Sequence, residues 1–177
     1  AEDDEIEHIQ KSTEAIDHKY KIQEVIKKGQ ILLVQATKEE RGNKGASLTT
    51  YISLAGKYCV LIPNKPSHNG ISKKISNGEE RKRLRRIIED LTSTGSRKSS
   101  LIIRTAGAGH STLAIKRDYN YLTKLWNKIR EVTLQSKAPA FIHQEDSILL
   151  KTIRDVFDSN VKEIIVQGQQ AFNSCMK

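Results

Sequence analysis

The feature that most constrains this chain is a short apolar run, Leu101-Ile-Ile103, that passes without a break into Arg104-Thr-Ala-Gly-Ala-Gly109. Three apolar residues, two of them β-branched, bounded by a polar loop and then by glycines, predict a buried strand ending in a glycine-rich turn. Ile115, Tyr119, Leu122, Trp126 and Ile129 then share one stripe of a helix from about Ser111 to Ser136, with charges elsewhere, and Ala138-Pro139-Ala140 breaks it.

The same periodicities organise the flanks. Apolar and β-branched residues from Ile31 to Thr37 and from Thr49 to Ile62 predict several short strands, separated by the charged turn Lys38-Glu-Glu-Arg-Gly-Asn-Lys-Gly45. Asn64 to Ser76, with Pro66, Asn69-Gly70 and Lys73-Lys74, reads as an exposed loop. Asn77 and Glu80 have capping-box spacing before a helix with Leu84, Ile87, Ile88 and Leu91 on one face. Its other faces carry Arg81, Lys82, Arg83, Arg85 and Arg86, either a nucleic-acid surface or simply the solvated side. After the polar loop Thr92 to Ser100 and the strand and helix above, Phe141-Ile-His143 and Val161 to Val166 read as strands. Asp146 to Asp158 reads as a helix, and another begins near Lys177. Residues 1–19, with five acids in the first seven positions, suit an acidic linker.

Charge narrows the partners. Thirty Lys and Arg against 21 Asp and Glu give a net charge of +9, which favours nucleic acid, an anionic membrane surface or an acidic protein. No apolar run approaches a membrane span and the acidic start is unlike a secretory signal, so a cytoplasmic protein is expected. Cys59 and Cys175 are too few for a disulfide framework or a four-cysteine zinc site and are expected as thiols.

The chemistry concentrates at Arg104. A guanidinium at a strand end, the Thr105 hydroxyl, and Gly107 and Gly109, which let backbone amides turn inward, make a place for a phosphate. The alternative is an arginine paired with a carboxylate beside a turn that only connects strand to helix. The spacing does not match the phosphate loop of nucleotidases, since no Gly-Lys-Ser/Thr follows. Asp118, Asp146, Asp155 and Asp158 are scattered and read as structural. His68, His110 and His143 show no ligand pair at helical spacing and are expected in loops and local hydrogen bonds, His110 lying near the pocket.

Four blocks in order, Lys38-Glu-Glu-Arg-Gly-Asn-Lys-Gly-Ala-Ser-Leu-Thr-Thr-Tyr-Ile-Ser-Leu-Ala-Gly56, Gly70-Ile-Ser-Lys-Lys74, Arg104-Thr-Ala-Gly107 and Ile142-His-Gln-Glu145, resemble the bacterial RNase E/G endoribonucleases. The likeness runs from about Tyr20 to Val166. Tyr20-Lys-Ile-Gln-Glu-Val-Ile26, after an acidic stretch, is most similar to alphaproteobacterial members.

The resemblance implies an α+β chain: incomplete OB-fold strands at 20–50, a mixed α/β 5′-sensor domain at 51–143, and part of an RNase H-like α/β subdomain at 144–177. It implies that Arg104 and Thr105 bind a 5′-terminal phosphate, that Gly56 and Val60 touch the terminal nucleotide, and that Lys38, Lys44, Lys73 and Lys74 contact RNA. The early OB-fold strands with their base-stacking aromatics are missing, and the loop Thr92 to Ser100 differs from the family's shorter connection.

The expected partner is single-stranded RNA with a 5′ monophosphate, not DNA, in a non-catalytic region of an enzyme for RNA processing and degradation. The parent is expected to be a homo-oligomer, its Mg²⁺-dependent catalytic domain and structural Zn²⁺ lying beyond Lys177, and it is a candidate for the inner face of the membrane. No cofactor is expected in this stretch itself. The competing readings are an independent metal-dependent nuclease and a structural or oligomerisation element with generic basic RNA binding.

Overall fold

In the computed structural model, structure is described for residues 20–65, 69–93, 99–144, 148–158 and 160–176. The chain divides between Thr50 and Tyr51 into two compact units. It is α+β, with helices, a two-stranded ribbon and a mixed four-stranded sheet. The expected acidic linker, His68, and Asp146 lie outside the described residues.

In the first unit, a single helical turn α1 (Ile22–Val25) precedes the antiparallel strands β1 (Gln35–Lys38) and β2 (Ser47–Thr49). Gln35 faces Thr49 and Ala36 faces Leu48, and an irregularity then lets Lys38 face Ser47. Arg41 and Lys44 close the connection by exchanging N–H to carbonyl bonds, each 3.0 Å, with Gly42 at φ +57°. The charged turn expected from sequence is therefore the tip of a ribbon, whereas Ile31 to Val34 precede it without joining a strand.

The second unit is built on β3 (Leu54–Ala55), β4 (Cys59–Ile62), β5 (Gly70–Ile71) and β6 (Ser100–Ile103), in the order β3-β4-β6-β5. The β3–β4 and β4–β6 pairs are antiparallel, and β5 runs parallel to β6, with α2 (Gly78–Ser93) forming the crossover. Every residue of β4 and β6 is buried, as the apolar run at 101–103 predicts for a strand covered on both faces.

Helix α3 (Thr112–Gln135) packs against β3 and β4, and α2 against β5 and β6. Leu84, Ile87, Ile88 and Leu91 from α2 and Ile115, Leu122 and Ile129 from α3 are buried, confirming both stripes. Tyr119 and Trp126 are only half-buried. Ser111 caps α3 by accepting the Ala114 N–H at 3.2 Å, and Asn77 accepts the Glu80 N–H at 3.1 Å before α2.

Three expectations change. The 64–76 segment is not simply exposed: it contains β5, and Lys65 and Ile75 are buried. Its side chains substitute for strand partners, Asn69 accepting the Leu101 N–H at 2.9 Å and Asn64 the Ile52 N–H at 3.0 Å. Phe141 to His143 and Val161 to Val166 form no strand. Apolar β-branched residues make a strand only where a neighbour offers a ladder, and among the described residues none pairs with them. The expected helix within 146–158 is α4 (Ile148–Val156), and α5 (Gln169–Cys175) ends before the position near Lys177 where a further helix was expected to begin.

Candidate functional site

The site grows from the β3–β4 turn. The Gly56 N–H donates to the Cys59 carbonyl at 2.8 Å, closing the turn, and leaves the amides of residues 57–59 facing α3. Asp118 of α3 collects them: Oδ1 accepts from Lys57 N at 3.1 Å, and Oδ2 accepts from Tyr58 N at 2.8 Å and Cys59 N at 3.0 Å. The Cys59 thiol also donates to Oδ2 at 3.3 Å; burial first, and then the neighbouring carboxylate, push its pKa strongly up. A Cβ on Gly56 would stand 2.4 Å from Asp118 Oδ2, so the carboxylate can approach only because that residue has no side chain.

Arginines cover the opposite, carbonyl side of the same turn. Arg104 follows β6, and its N–H donates to the Tyr58 carbonyl at 2.9 Å, which draws the strand end against the turn. Its Nη1 donates to Gly56 O at 2.5 Å, to Lys57 O at 3.3 Å and to Asp155 Oδ1 at 3.1 Å. From α4, Arg154 Nη1 donates to Ala55 O at 3.0 Å, while its Nε and Nη2 fork onto Asp155 at 3.0 Å each. Lys57 Nζ donates to the Phe157 carbonyl. The Arg104 side chain is 11% exposed and Asp155 24%. The turn is thus sorted by charge, with amides on one carboxylate and carbonyls on two guanidiniums.

On the far side of β6, the Thr105 hydroxyl is exposed and lies 2.9 Å from that of Ser72. The Ser72 N–H donates to Ile103 O at 2.9 Å, extending β5 along β6. Arg81 Nη1 donates to Ser72 O at 2.9 Å and Ile75 O at 3.0 Å, so this member of the basic helix faces anchors a loop instead of facing solvent. That loop presents Lys73 and Lys74 to solvent.

Thr105 to Gly107 form a single 3₁₀ turn, and a Cβ on Gly107 would meet Ile103 Cγ2 at 2.7 Å. The Glu80 carboxylate reaches the next residues, accepting the Gly109 N–H at 2.9 Å while paired with Arg83 at 2.6 Å. The Arg83 bond first, and then the Gly109 bond, hold its pKa down at about 2. The His110 ring lies 4.5 Å from that of Tyr58.

The expected site residues therefore separate into groups. Arg104 and Gly56 meet at the turn, and Thr105 meets the Ser72–Lys74 loop. Val60 is 4% exposed, so its side chain is a core residue. Lys38 and Lys44 are exposed on the ribbon of the first unit. Asp158 accepts the Asn160 N–H at 2.8 Å, a local turn. Among the described residues no three His, Cys, Asp or Glu side chains come together as a group that could hold a metal ion.

Asp118, Arg154, Asp155 and Ser72 are absent from the sequence-derived site. Asp118 carried a signal: it lies three residues after Ile115 and four before Leu122, an acid beside the apolar stripe of α3. Arg154 and Asp155 carried none.

The chain belongs to the Ribonuclease E/G family, whose profile matches residues 53–177. It is 41% identical to Ribonuclease E of Escherichia coli (strain K12) over 147 residues, 83% of this chain and 14% of that protein. Putative ribonuclease E of Buchnera aphidicola subsp. Baizongia pistaciae is 43% identical over 149 residues, 84% and 36% of the two chains. Ribonuclease G of Haemophilus influenzae is 33% identical over 151 residues, 85% and 30%. The chain thus spans 14–36% of the length of these curated relatives. Among the described residues no helix is long and apolar enough to cross a membrane.

Proposed function

We propose that this chain is the RNA-binding, 5′-monophosphate-sensing region of a ribonuclease E/G-type endoribonuclease, and that it does not itself cut RNA. One observation carries the reading: the Arg104 guanidinium, at the end of the central buried strand, is held among oxygen acceptors and already engages a carboxylate at 3.1 Å. A group that binds one oxyanion in a partly dry site can bind another.

In this reading the Arg104 fork takes the terminal phosphate and Thr105 adds a hydroxyl donor. Gly56 offers its backbone to the terminal nucleotide, with Val60 behind it in the core. Lys73 and Lys74 supply longer-range attraction. Lys38 and Lys44 on the ribbon would hold single-stranded RNA through its backbone, without base stacking. Each charge-assisted hydrogen bond contributes about 1.5–3 kcal/mol, so losing one such bond costs roughly ten- to a hundredfold in affinity.

A second reading has its own observation: two turn carbonyls and a carboxylate on Arg104 also describe a structural anchor. Fluorescence anisotropy at fixed salt separates the two, comparing one short RNA with a 5′ monophosphate or a 5′ hydroxyl. Sensing predicts about tenfold tighter binding of the monophosphate, reduced in Arg104→Lys and in Thr105→Val. Equal binding of both RNAs by the unaltered chain leaves Arg104 a structural anchor on a generic basic surface.

A further inference from the structure

Asp155 presents its two oxygens to a pair of guanidiniums in the way a phosphate would. Its Oδ1 is shared by Arg104 Nη1 at 3.1 Å and Arg154 Nε at 3.0 Å, and its Oδ2 accepts Arg154 Nη2 at 3.0 Å. Neither arginine depends on Asp155 alone for its place, because Arg104 Nη1 is also held by the Gly56 carbonyl and Arg154 Nη1 by that of Ala55. Rotation of the Asp155 side chain would withdraw the carboxylate from both guanidiniums while the Gly56 and Ala55 carbonyls still hold them beside one turn.

We infer that Asp155 occupies the position of the terminal phosphate and that Arg154 is a second guanidinium for that phosphate, a role that rests on the reading of Arg104 as its ligand. Guanidinium forks match carboxylate and phosphate oxygens alike, so the two anions compete for the same donors. A monophosphate carries more charge than a carboxylate and displaces it; a 5′ hydroxyl carries none and does not. Asp155 thereby sharpens selection by charge, since any end group must outbid an oxyanion tethered beside the arginines. Helix α4 is suited to the exchange, as none of its residues is buried and its described ties to the turn run through Arg154 and the Phe157 carbonyl just beyond it.

The test uses the 177-residue chain, the two RNAs that differ only at the 5′ end, and three variants. Asp155→Asn keeps the shape and removes the charge. Asp158→Asn makes the same change in net charge on an exposed aspartate and controls for general attraction. Arg154→Gln removes the second fork. Competition reduces apparent affinity by the fraction of molecules in which the arginines are released, so Asp155→Asn is expected to tighten monophosphate binding about tenfold if about one in ten is open. Hydroxyl RNA should change no more than in Asp158→Asn, and Arg154→Gln should weaken monophosphate binding selectively.

Inorganic phosphate supplies a readout independent of RNA and shows that each variant folds: it should raise the melting temperature of Asp155→Asn more than that of the unaltered chain. If the unaltered chain prefers the monophosphate and Asp155→Asn prefers it equally or less, Asp155 merely positions Arg104 and the inference is overturned, with the sensing reading intact. If neither chain prefers the monophosphate, the sensing reading itself falls.

Discussion

The sheet region from Tyr51 to Gln135 and the stretch from Phe141 to Met176 are both rich in Ile, Leu and Val, yet among the described residues only the first builds a core. Leu101, Ile103, Ile115 and Leu122 are fully buried. By contrast Phe141 is 79% exposed and Ile165 87%, and neither α4 nor α5 contributes a buried residue. The first region has a β–α–β crossover and a hairpin that bring apolar faces together; the second has short helices and extended segments with no ladder among the described residues. Its described hydrogen bonds to the sheet region come from polar groups, with Arg154, Asp155 and the Phe157 carbonyl meeting the β3–β4 turn and Arg104. The candidate site therefore lies where the buried core of the sheet region meets polar groups of the second stretch.

Core substitutions give the largest contrast. Leu122→Ala is expected to cost about 2–5 kcal/mol in urea unfolding, whereas Ile165→Ala costs no more than about 0.5 kcal/mol. Equal losses would mean that the second stretch is packed as tightly as the sheet. Next comes the turn that joins the regions: Asp118→Ala strands three amides and is expected to lose about 2–3 kcal/mol. Gly56→Ala, whose Cβ would run into the Asp118 carboxylate, should lose about 1–3 kcal/mol. If Gly56→Ala unfolds like the unaltered chain, the close approach of turn and helix is not a constraint.

A smaller effect is set by pH. Glu80 titrates near 2 in the folded chain against 4.5 as its ordinary value, because the Arg83 bond and the Gly109 amide favour the charged form. The folded state then binds fewer protons than the unfolded one in this window, so the stability Glu80 contributes is complete above about pH 4.5 and is lost as pH falls toward 2. Acid titrations of the unaltered chain and Glu80→Gln should diverge over that window. Parallel curves would remove Glu80 as the tie between α2 and the glycine turn.

How much of this was legible in sequence follows the same division. Local periodicity showed α2, α3 and the buried strand at 101–103, and capping-box spacing placed Asn77, because those signals span only a few residues. Phe141 to His143 and Val161 to Val166 had strand composition, but composition does not supply a partner, and β5 is only two residues long. The candidate site was half legible. Arg104 and Thr105 stood out at a strand end, but Asp118 meets its turn across about 60 positions and Asp155 meets Arg104 across 51. Contacts that remote leave no periodic trace.

The central claim is that the Arg104 guanidinium receives the 5′ phosphate, and the most direct measurement follows its Nε–Hε resonance by NMR while short RNA is added. The monophosphorylated RNA is predicted to shift that resonance with the same saturation curve as anisotropy, while 5′-hydroxyl RNA leaves it in place. An Arg104 signal that stays still while monophosphorylated RNA binds, or that moves equally with both RNAs, contradicts the account.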